Sequence, residues 1–340
     1  MYRINHLHLF LIFLVIFLFI FNNLVNKEGQ HKLSSNTKIN QEEYDNFKNK
    51  LLNITEQENP RTALSVLAHG ADNNPAIMDN CHAFSHEIGR SAYKKYKDFG
   101  ESVKYYDKMC NSGYLHGIIE AYFSKSKDIL SDLKTICDSY DLGSFLSLQC
   151  YHGVGHGLMY YTSNDVSQSL NMCDSYSDNF SRSNCALGIF MENFDTDQKI
   201  HPSKFAKEND LFYPCQEQEA RYKYECYSYS PIHYLSLNKG DYTGALVWCE
   251  KAEKQYQAAC AQGVGVQTMN DNIDNPQFIE AICMSGKVHL RAPCIDGVVS
   301  VYINHYSSLE PAKLLCKQLG VINRLICNDS VNVRVSLFTN

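Results

Sequence analysis

The spacing of the cysteines constrains the fold more than any other feature of this chain. The sequence holds 14 cysteines in 340 residues, and they fall into seven pairs. In the last four pairs ten residues separate the partners, and equivalent cysteines of successive pairs stand 34, 34 and 33 residues apart. A fixed period of this length is typical of repeat architectures. The predicted disulfides, the first of them assigned by elimination, join Cys81 with Cys110, Cys137 with Cys150, Cys173 with Cys185, Cys215 with Cys226, Cys249 with Cys260, Cys283 with Cys294, and Cys316 with Cys327.

The segment around Cys249 and Cys260 predicts what one repeat looks like. Asp241 is placed to cap a helix over 242–253, a short turn follows near 254–255, and a second helix carries Cys260 to about Met269. An offset of 11 residues fits two antiparallel helices whose facing cysteines lie within disulfide reach. Further helix starts are predicted at Pro60, Asn74-Pro75, Asn275-Pro276 and Pro311.

A glycine three residues after the second cysteine recurs in five of the pairs. It stands at Gly113, Gly153, Gly188, Gly263 and Gly297. Positions three apart share a helix side, and glycine weakens a helix by about 1 kcal/mol relative to alanine. The recurrence therefore predicts that a partner helix approaches closely at these positions.

The residues of this repeat resemble a known family. The stretch from Ala245 to Ala252, with Trp248 and Cys249, and the stretch Ala259–Gly263 resemble a Sel1-like repeat, a relative of the tetratricopeptide repeat. The plan is also similar to that of secreted cysteine-rich Sel1 proteins. The resemblance implies a right-handed α-solenoid of about seven disulfide-stapled helical hairpins with a surface for binding. It implies no particular ligand.

The N-terminus and the cysteines together predict where the chain resides. Residues 7–21 are almost entirely apolar and follow Arg3, as in a signal anchor. We expect a single-pass membrane helix within 1–26, a polar stalk with a short helix at 27–58, and the repeat domain at 59–340. A cleaved signal peptide remains the alternative. Either way, evenly paired cysteines favour an oxidising compartment outside the cytoplasm, whether cell surface, periplasm-like space or secretory lumen.

The charge of the chain limits its partners. The formal net charge is −6, and no basic stretch is evident. A nucleic-acid partner is therefore not expected. A protein, peptide or glycan on the repeat surface is the expected ligand class.

Histidines gather near the cysteines of three successive N-terminal segments. Two i,i+4 pairs each share a helix face, as ligands do in helical metal sites. Imidazole and carboxylate ligands suit Zn or Fe. The candidate ligands are His82, His86, His116, Glu120, His152 and His156. The alternative is that these histidines simply pack between repeats, since the two pairs stand at different offsets from their cysteines.

Two functions from different classes follow from the sequence. The first is an extracytoplasmic binding or scaffold protein that carries a histidine-rich metal site. The second is a metal-dependent enzyme that uses the same cluster, with Zn or Fe as cofactor. The sequence favours the first, because no catalytic motif such as G-x-S-x-G or a glycine-rich phosphate loop is present. For either function, metal occupancy is expected to fall as the pH drops through about 6.5.

Overall fold

Helices dominate the part of the chain that the computed structural model describes, which is residues 39–195, 203–273 and 275–339. No β-strand occurs within these ranges. The α-helices are α1 Gln41–Gln57, α2 Pro60–Asn73, α3 Pro75–Asp79, α4 Cys81–Tyr96, α5 Phe99–Val103, α6 Gly113–Phe123, α7 Ile129–Thr135, α8 Phe145–Tyr161, α9 Val166–Cys173, α10 Asn179–Asp195, α11 Ala220–Leu237, α12 Tyr242–Cys249, α13 Gln257–Asp271, α14 Pro276–Ser285, α15 Val288–Tyr306, α16 Leu309–Gln318 and α17 Val321–Asn332.

Local sequence signals set most of the helix starts. The side chains of Asn59, Asn74, Asp241 and Asn275 each accept a hydrogen bond from the first turn of the helix that follows. Three of these helices begin with proline, whose missing N–H costs nothing in the first turn. The last predicted start is displaced: α16 begins at Leu309, capped by Ser308, and Pro311 lies inside its first turn. The helix predicted over 242–253 ends earlier, at Cys249.

All fourteen cysteines form disulfides, and the pairing is the predicted one. The Cα atoms of each pair lie 5.4 to 6.0 Å apart, within the usual range for a disulfide. None of the cysteines is free. The bonds join Cys81 with Cys110, Cys137 with Cys150, Cys173 with Cys185, Cys215 with Cys226, Cys249 with Cys260, Cys283 with Cys294, and Cys316 with Cys327.

The second cysteine of each of the last six pairs lies inside a long helix and has no exposed surface. These residues are Cys150 in α8, Cys185 in α10, Cys226 in α11, Cys260 in α13, Cys294 in α15 and Cys327 in α17. Each of these disulfides therefore ties the region before a long helix to that helix. The bond between Cys81 and Cys110 is different, because it ties the start of α4 to the short turn that precedes α6.

The long helices form a row in which each packs against the next. The row runs α4, α6, α8, α10, α11, α13, α15 and α17. The shorter helices α9, α12, α14 and α16 each pack on the long helix that follows them. One hydrophobic core runs through the row from Leu115 to Val331. Side chains at equivalent places on neighbouring long helices therefore come to lie side by side.

The recurring glycines let the long helices approach very closely, as expected, but the helix that approaches is not the hairpin partner. A Cβ atom on Gly188 of α10 would lie 2.0 Å from the carbonyl oxygen of His152 on α8. A Cβ atom on Gly117 of α6 would lie 2.0 Å from the carbonyl oxygen of His86 on α4. The close approach is to the neighbouring long helix of the row rather than to the other helix of the same hairpin. It brings the histidine-bearing helices within side-chain reach of one another.

The short helix predicted near the N-terminal side of the repeats is present as α1 and packs on α4. The rings of Tyr44 and Phe47 lie 4.6 and 5.1 Å from the ring of Phe84. Lys95 donates hydrogen bonds to three carbonyl oxygens at the end of α1. The boundaries 27–58 and 59–340 stay predictions.

No helix among the described residues is long and apolar enough to cross a membrane. The predicted signal anchor at 1–26, and the stalk as far as residue 38, lie outside the described residues.

Candidate metal centre

Four imidazoles from three adjacent long helices converge on one point. His82 and His86 project from α4, His116 from α6 and His156 from α8. One ring nitrogen of each lies within 4.8 Å of a ring nitrogen of every other. The ring centroids are 4.4 to 6.2 Å apart. We call these four residues the imidazole set.

The hydrogen bonds of His82 and His86 leave two nitrogen lone pairs facing each other. Nδ1 of His82 lies 2.7 Å from the carbonyl oxygen of Cys110, so this nitrogen carries the proton of the neutral ring. Nδ1 of His86 lies 2.6 Å from Oε1 of Glu120, a carboxylate that also accepts. The two Nε2 atoms are only 3.0 Å apart. A cation between them, either a proton or a metal ion, is needed to make this contact favourable.

His116 distinguishes the metal ion from the proton. Its side chain is fully buried, and neither ring nitrogen has a hydrogen-bond partner. Leaving buried polar atoms unpaired costs about 1–3 kcal/mol. A proton on His86 would bridge to His82 and leave both nitrogens of His116 without a partner, whereas a metal ion would bind one nitrogen of each of the three rings.

The spacing of the nitrogens fits a small ion. Nitrogen ligands lie at about 2.0–2.1 Å from zinc, so in a tetrahedron they are about 3.3 Å from one another. The Nε2 separation of 3.0 Å between His82 and His86 is close to that value. The ligand nitrogens of the whole imidazole set lie within 4.8 Å of one another, so the set fits Zn or Fe once the rings rotate inwards.

Two glutamates each contact the Nδ1 atom of a histidine in the imidazole set. Glu120 accepts from His86 Nδ1, and Glu192 lies 2.9 Å from His156 Nδ1. Arg90 donates to the second oxygen of Glu120 and, at 3.2 Å, to the hydroxyl of Tyr160. Carboxylates in this position fix the ring orientation and make the opposite nitrogen a better ligand.

Burial sets the charge states in the cluster. It lowers the pKa of His82 to about 3, and the nearby charges of His86 and His156 add to the effect. Burial, followed by repulsion from neighbouring imidazoles, also lowers the pKa of His116 and His152 well below the usual value. Neutral rings are the form that binds metal.

Neighbouring positive groups, rather than burial, decide the pKa of Glu120. Burial works against its ionised form, but the neighbouring His86 and Arg90 outweigh it, and its pKa lies below its usual range. The carboxylate of Glu120 therefore stays charged beside the imidazole set.

The structure treats the six predicted ligands unequally. Four form the imidazole set, and Glu120 groups with His156 and Glu192, with one oxygen or nitrogen of each within 4.8 Å of the others. His152 belongs to neither group, although its Nε2 lies 3.2 Å from Nε2 of His156. The sequence did not predict the roles of Glu192 and Arg90. Glu192 lies on a helix without histidine, so a search for histidine-rich helix faces does not reach it.

A cavity of about 330 Å³ reaches the edge of the cluster. His82, His116 and His152 form part of its wall. The opposite wall comes from the C-terminal helices and includes Gln262 and Asn304. Arg334 also lines the cavity, but Asp296 binds its guanidinium through both carboxylate oxygens. A small polar molecule in this space would lie beside the imidazoles.

Comparison of the chain with protein-family models, with curated proteins and with solved structures finds no match.

Proposed function

We propose that this protein is an extracytoplasmic helical-repeat protein that binds a transition-metal ion, Zn or Fe, in its N-terminal half. One observation carries the proposal: His116 is fully buried with two unpartnered nitrogens, next to three further imidazoles whose nitrogens lie within 4.8 Å of one another. A bound cation would engage one nitrogen of each of the four rings at once.

The architecture that we propose is a right-handed α-solenoid with Sel1-like hairpins. The row of long helices, the shorter helices packed beside them and the disulfide in each hairpin support it. Seven disulfides favour an oxidising compartment outside the cytoplasm. The apolar run at 7–21 supports a single-pass membrane anchor.

The experiment is a metal analysis of the full chain. The protein is produced in an oxidising secretory host, purified with detergent and analysed by mass spectrometry for metals. We expect at least one equivalent of Zn or Fe per chain. The double variant His86→Leu, His156→Leu should lose the metal, because it removes two of the four ligands of the imidazole set.

The matched control is the double variant His233→Leu, His289→Leu, which removes one buried and one exposed histidine outside the cluster. It should keep the metal. A wild-type chain that is purified without metal, and binds no added Zn²⁺ or Fe²⁺, would refute the proposal.

A metal-dependent enzyme is the second candidate, and the cavity favours it. Three imidazoles line the cavity wall, so a substrate there can reach the ion. Catalytic zinc sites keep one position open, whereas structural sites use four protein ligands. The number of protein ligands, measured by X-ray absorption, therefore separates the two functions.

A further inference from the structure

We propose that the cluster binds two metal ions rather than one, and that His156 is the ligand they share. This inference rests on the proposed function and extends it. The second ion would be bound by Glu120, His156 and Glu192, which we call the carboxylate set.

The first argument is that two separate groups of ligands overlap at one residue. The imidazole set and the carboxylate set each gather their ligand atoms within 4.8 Å, and His156 belongs to both. A histidine ring carries two nitrogens that point in different directions. Nδ1 of His156 lies 2.9 Å from Glu192, a member of the carboxylate set. We therefore assign Nδ1 to the ion of the carboxylate set and Nε2, on the other side of the ring, to the ion of the imidazole set.

The second argument is electrostatic. Glu120 has no exposed side-chain surface and Glu192 has only 14% exposed, yet their carboxylates come within 4.8 Å of each other. Two negative charges at this separation repel each other, and the repulsion is strong because little water screens it. Arg90 forms an ion pair with Glu120 and offsets part of it. A divalent cation bound by both carboxylates would replace the repulsion between them by attraction to the ion.

The third argument is ligand chemistry. Two carboxylates and one imidazole are ligands that both Zn²⁺ and Fe²⁺ accept, as are the imidazoles of the first set. One kind of metal can therefore fill both positions. A ring that binds two ions does so without its N–H proton, which passes to solvent when the second ion binds.

The test is a titration of the metal-free full chain with ZnCl₂, in which bound zinc is counted after removal of free ion. The wild type should bind two equivalents. Glu192→Gln should bind one, because only the carboxylate set loses a ligand. His116→Leu should also bind one, because it disturbs only the imidazole set. His156→Leu should weaken both sites at least tenfold.

The matched control is Glu225→Gln, which changes a buried carboxyl group hydrogen-bonded to Ser183, outside both sets. It should bind two equivalents. If His156→Leu does not fold, as judged by circular dichroism, the comparison of Glu192→Gln with Glu225→Gln decides the question.

The outcomes separate the two proposals. One equivalent in the wild type would overturn the second ion and leave the proposed function standing. Two equivalents in both wild type and Glu192→Gln would overturn the carboxylate set. No bound zinc in the wild type would overturn both proposals.

Discussion

His116 shows how one residue can carry a functional argument. In the sequence it is a single histidine four residues before Glu120, with less signal than the two i,i+4 pairs. In the structure it lies between those pairs, with ring centroids 5.2 to 5.4 Å from the other four histidines. Its Cδ2 atom would lie 2.8 Å from a Cβ atom on Gly153, so the glycine makes room for the ring. This buried ring without a hydrogen-bond partner is the observation on which the proposed metal site rests.

The lowered histidine pKa values revise one expectation from the sequence. The sequence alone predicts metal loss as the pH falls through about 6.5, the ordinary value for histidine. The pKa of His82 is about 3, because burial and neighbouring imidazoles disfavour its charged form. Proton competition at this ring therefore begins below pH 6.5, and we expect His82 to remain a competent ligand under mildly acidic conditions.

The same shift predicts how the stability of the metal-free protein depends on pH. The folded pKa of His82, about 3, lies below the unfolded value of about 6.5. Between these values the unfolded chain binds more protons, so stability is highest above pH 6.5 and falls as the pH drops towards 3. His82 alone contributes a slope of up to about 1.4 kcal/mol per pH unit.

Urea unfolding with EDTA at several pH values measures this slope. His82→Gln should reduce it, while the exposed control His289→Gln should leave it unchanged. A wild-type stability that stays constant from pH 6.5 to pH 4 would contradict the prediction.

At the scale of helices, much of the local structure was predictable. Asn59, Asn74, Asp241 and Asn275 cap helices because a side-chain oxygen next to a free backbone N–H is a local signal. The helix start predicted at Pro311 was wrong, since proline is tolerated throughout the first turn and does not by itself fix the first residue of the helix.

The site itself was only partly predictable. The i,i+4 rule correctly puts His82 with His86 and His152 with His156 on shared faces. It cannot give the rotation of one helix against the next, which decides that His156 joins the imidazole set while His152 does not. That rotation depends on packing between helices, and so does the position of Glu192, which lies on α10 beside His156.

The glycine contacts between long helices give a prediction with a clear sign. By helix propensity alone, replacing a glycine inside a helix by alanine should raise the free energy of unfolding by about 1 kcal/mol. In Gly188→Ala, however, the new Cβ would lie 2.0 Å from the carbonyl oxygen of His152. We expect destabilisation of about 1–3 kcal/mol, because α8 and α10 must separate.

The matched control is Gly100→Ala in α5, where the nearest atom would lie 3.4 Å from the new Cβ. Its stability should equal or exceed that of the wild type in the same thermal or urea unfolding experiment. If Gly188→Ala were as stable as Gly100→Ala, close packing of the long helices could not explain the recurring glycine.

At the scale of the molecule, the C-terminal part of the row of helices contacts its N-terminal half. The turn at Cys110–Ser112 contacts α15, and the ring of Phe145 stacks at 5.1 Å on Phe338 near the C-terminus. The cavity beside the histidine cluster takes its walls from both halves of the chain. The sequence period predicts the repeated hairpin, but not how tightly successive hairpins curl, because curvature follows from small rotations that accumulate from repeat to repeat.

The disulfides predict a peptide map without crossing links. Digestion under non-reducing conditions should yield seven linked pairs, each between cysteines adjacent in the chain, with no free thiol. The geometry supports this, since every pair has its Cα atoms within 6.0 Å. A link from Cys226 to Cys249, or a large fraction of free thiol, would contradict both the pairing and the oxidising compartment.

The contact between Phe338 and Phe145 has a consequence for how many hairpins this architecture can hold. Open arrays of repeats gain and lose copies readily, because each unit touches only its neighbours. Here an inserted or deleted hairpin would move Phe338 away from Phe145 and separate Gln262 and Asn304 from the histidines that line the same cavity. We therefore expect a change in the number of hairpins to destroy the cavity, which a change of single residues on its walls would not do.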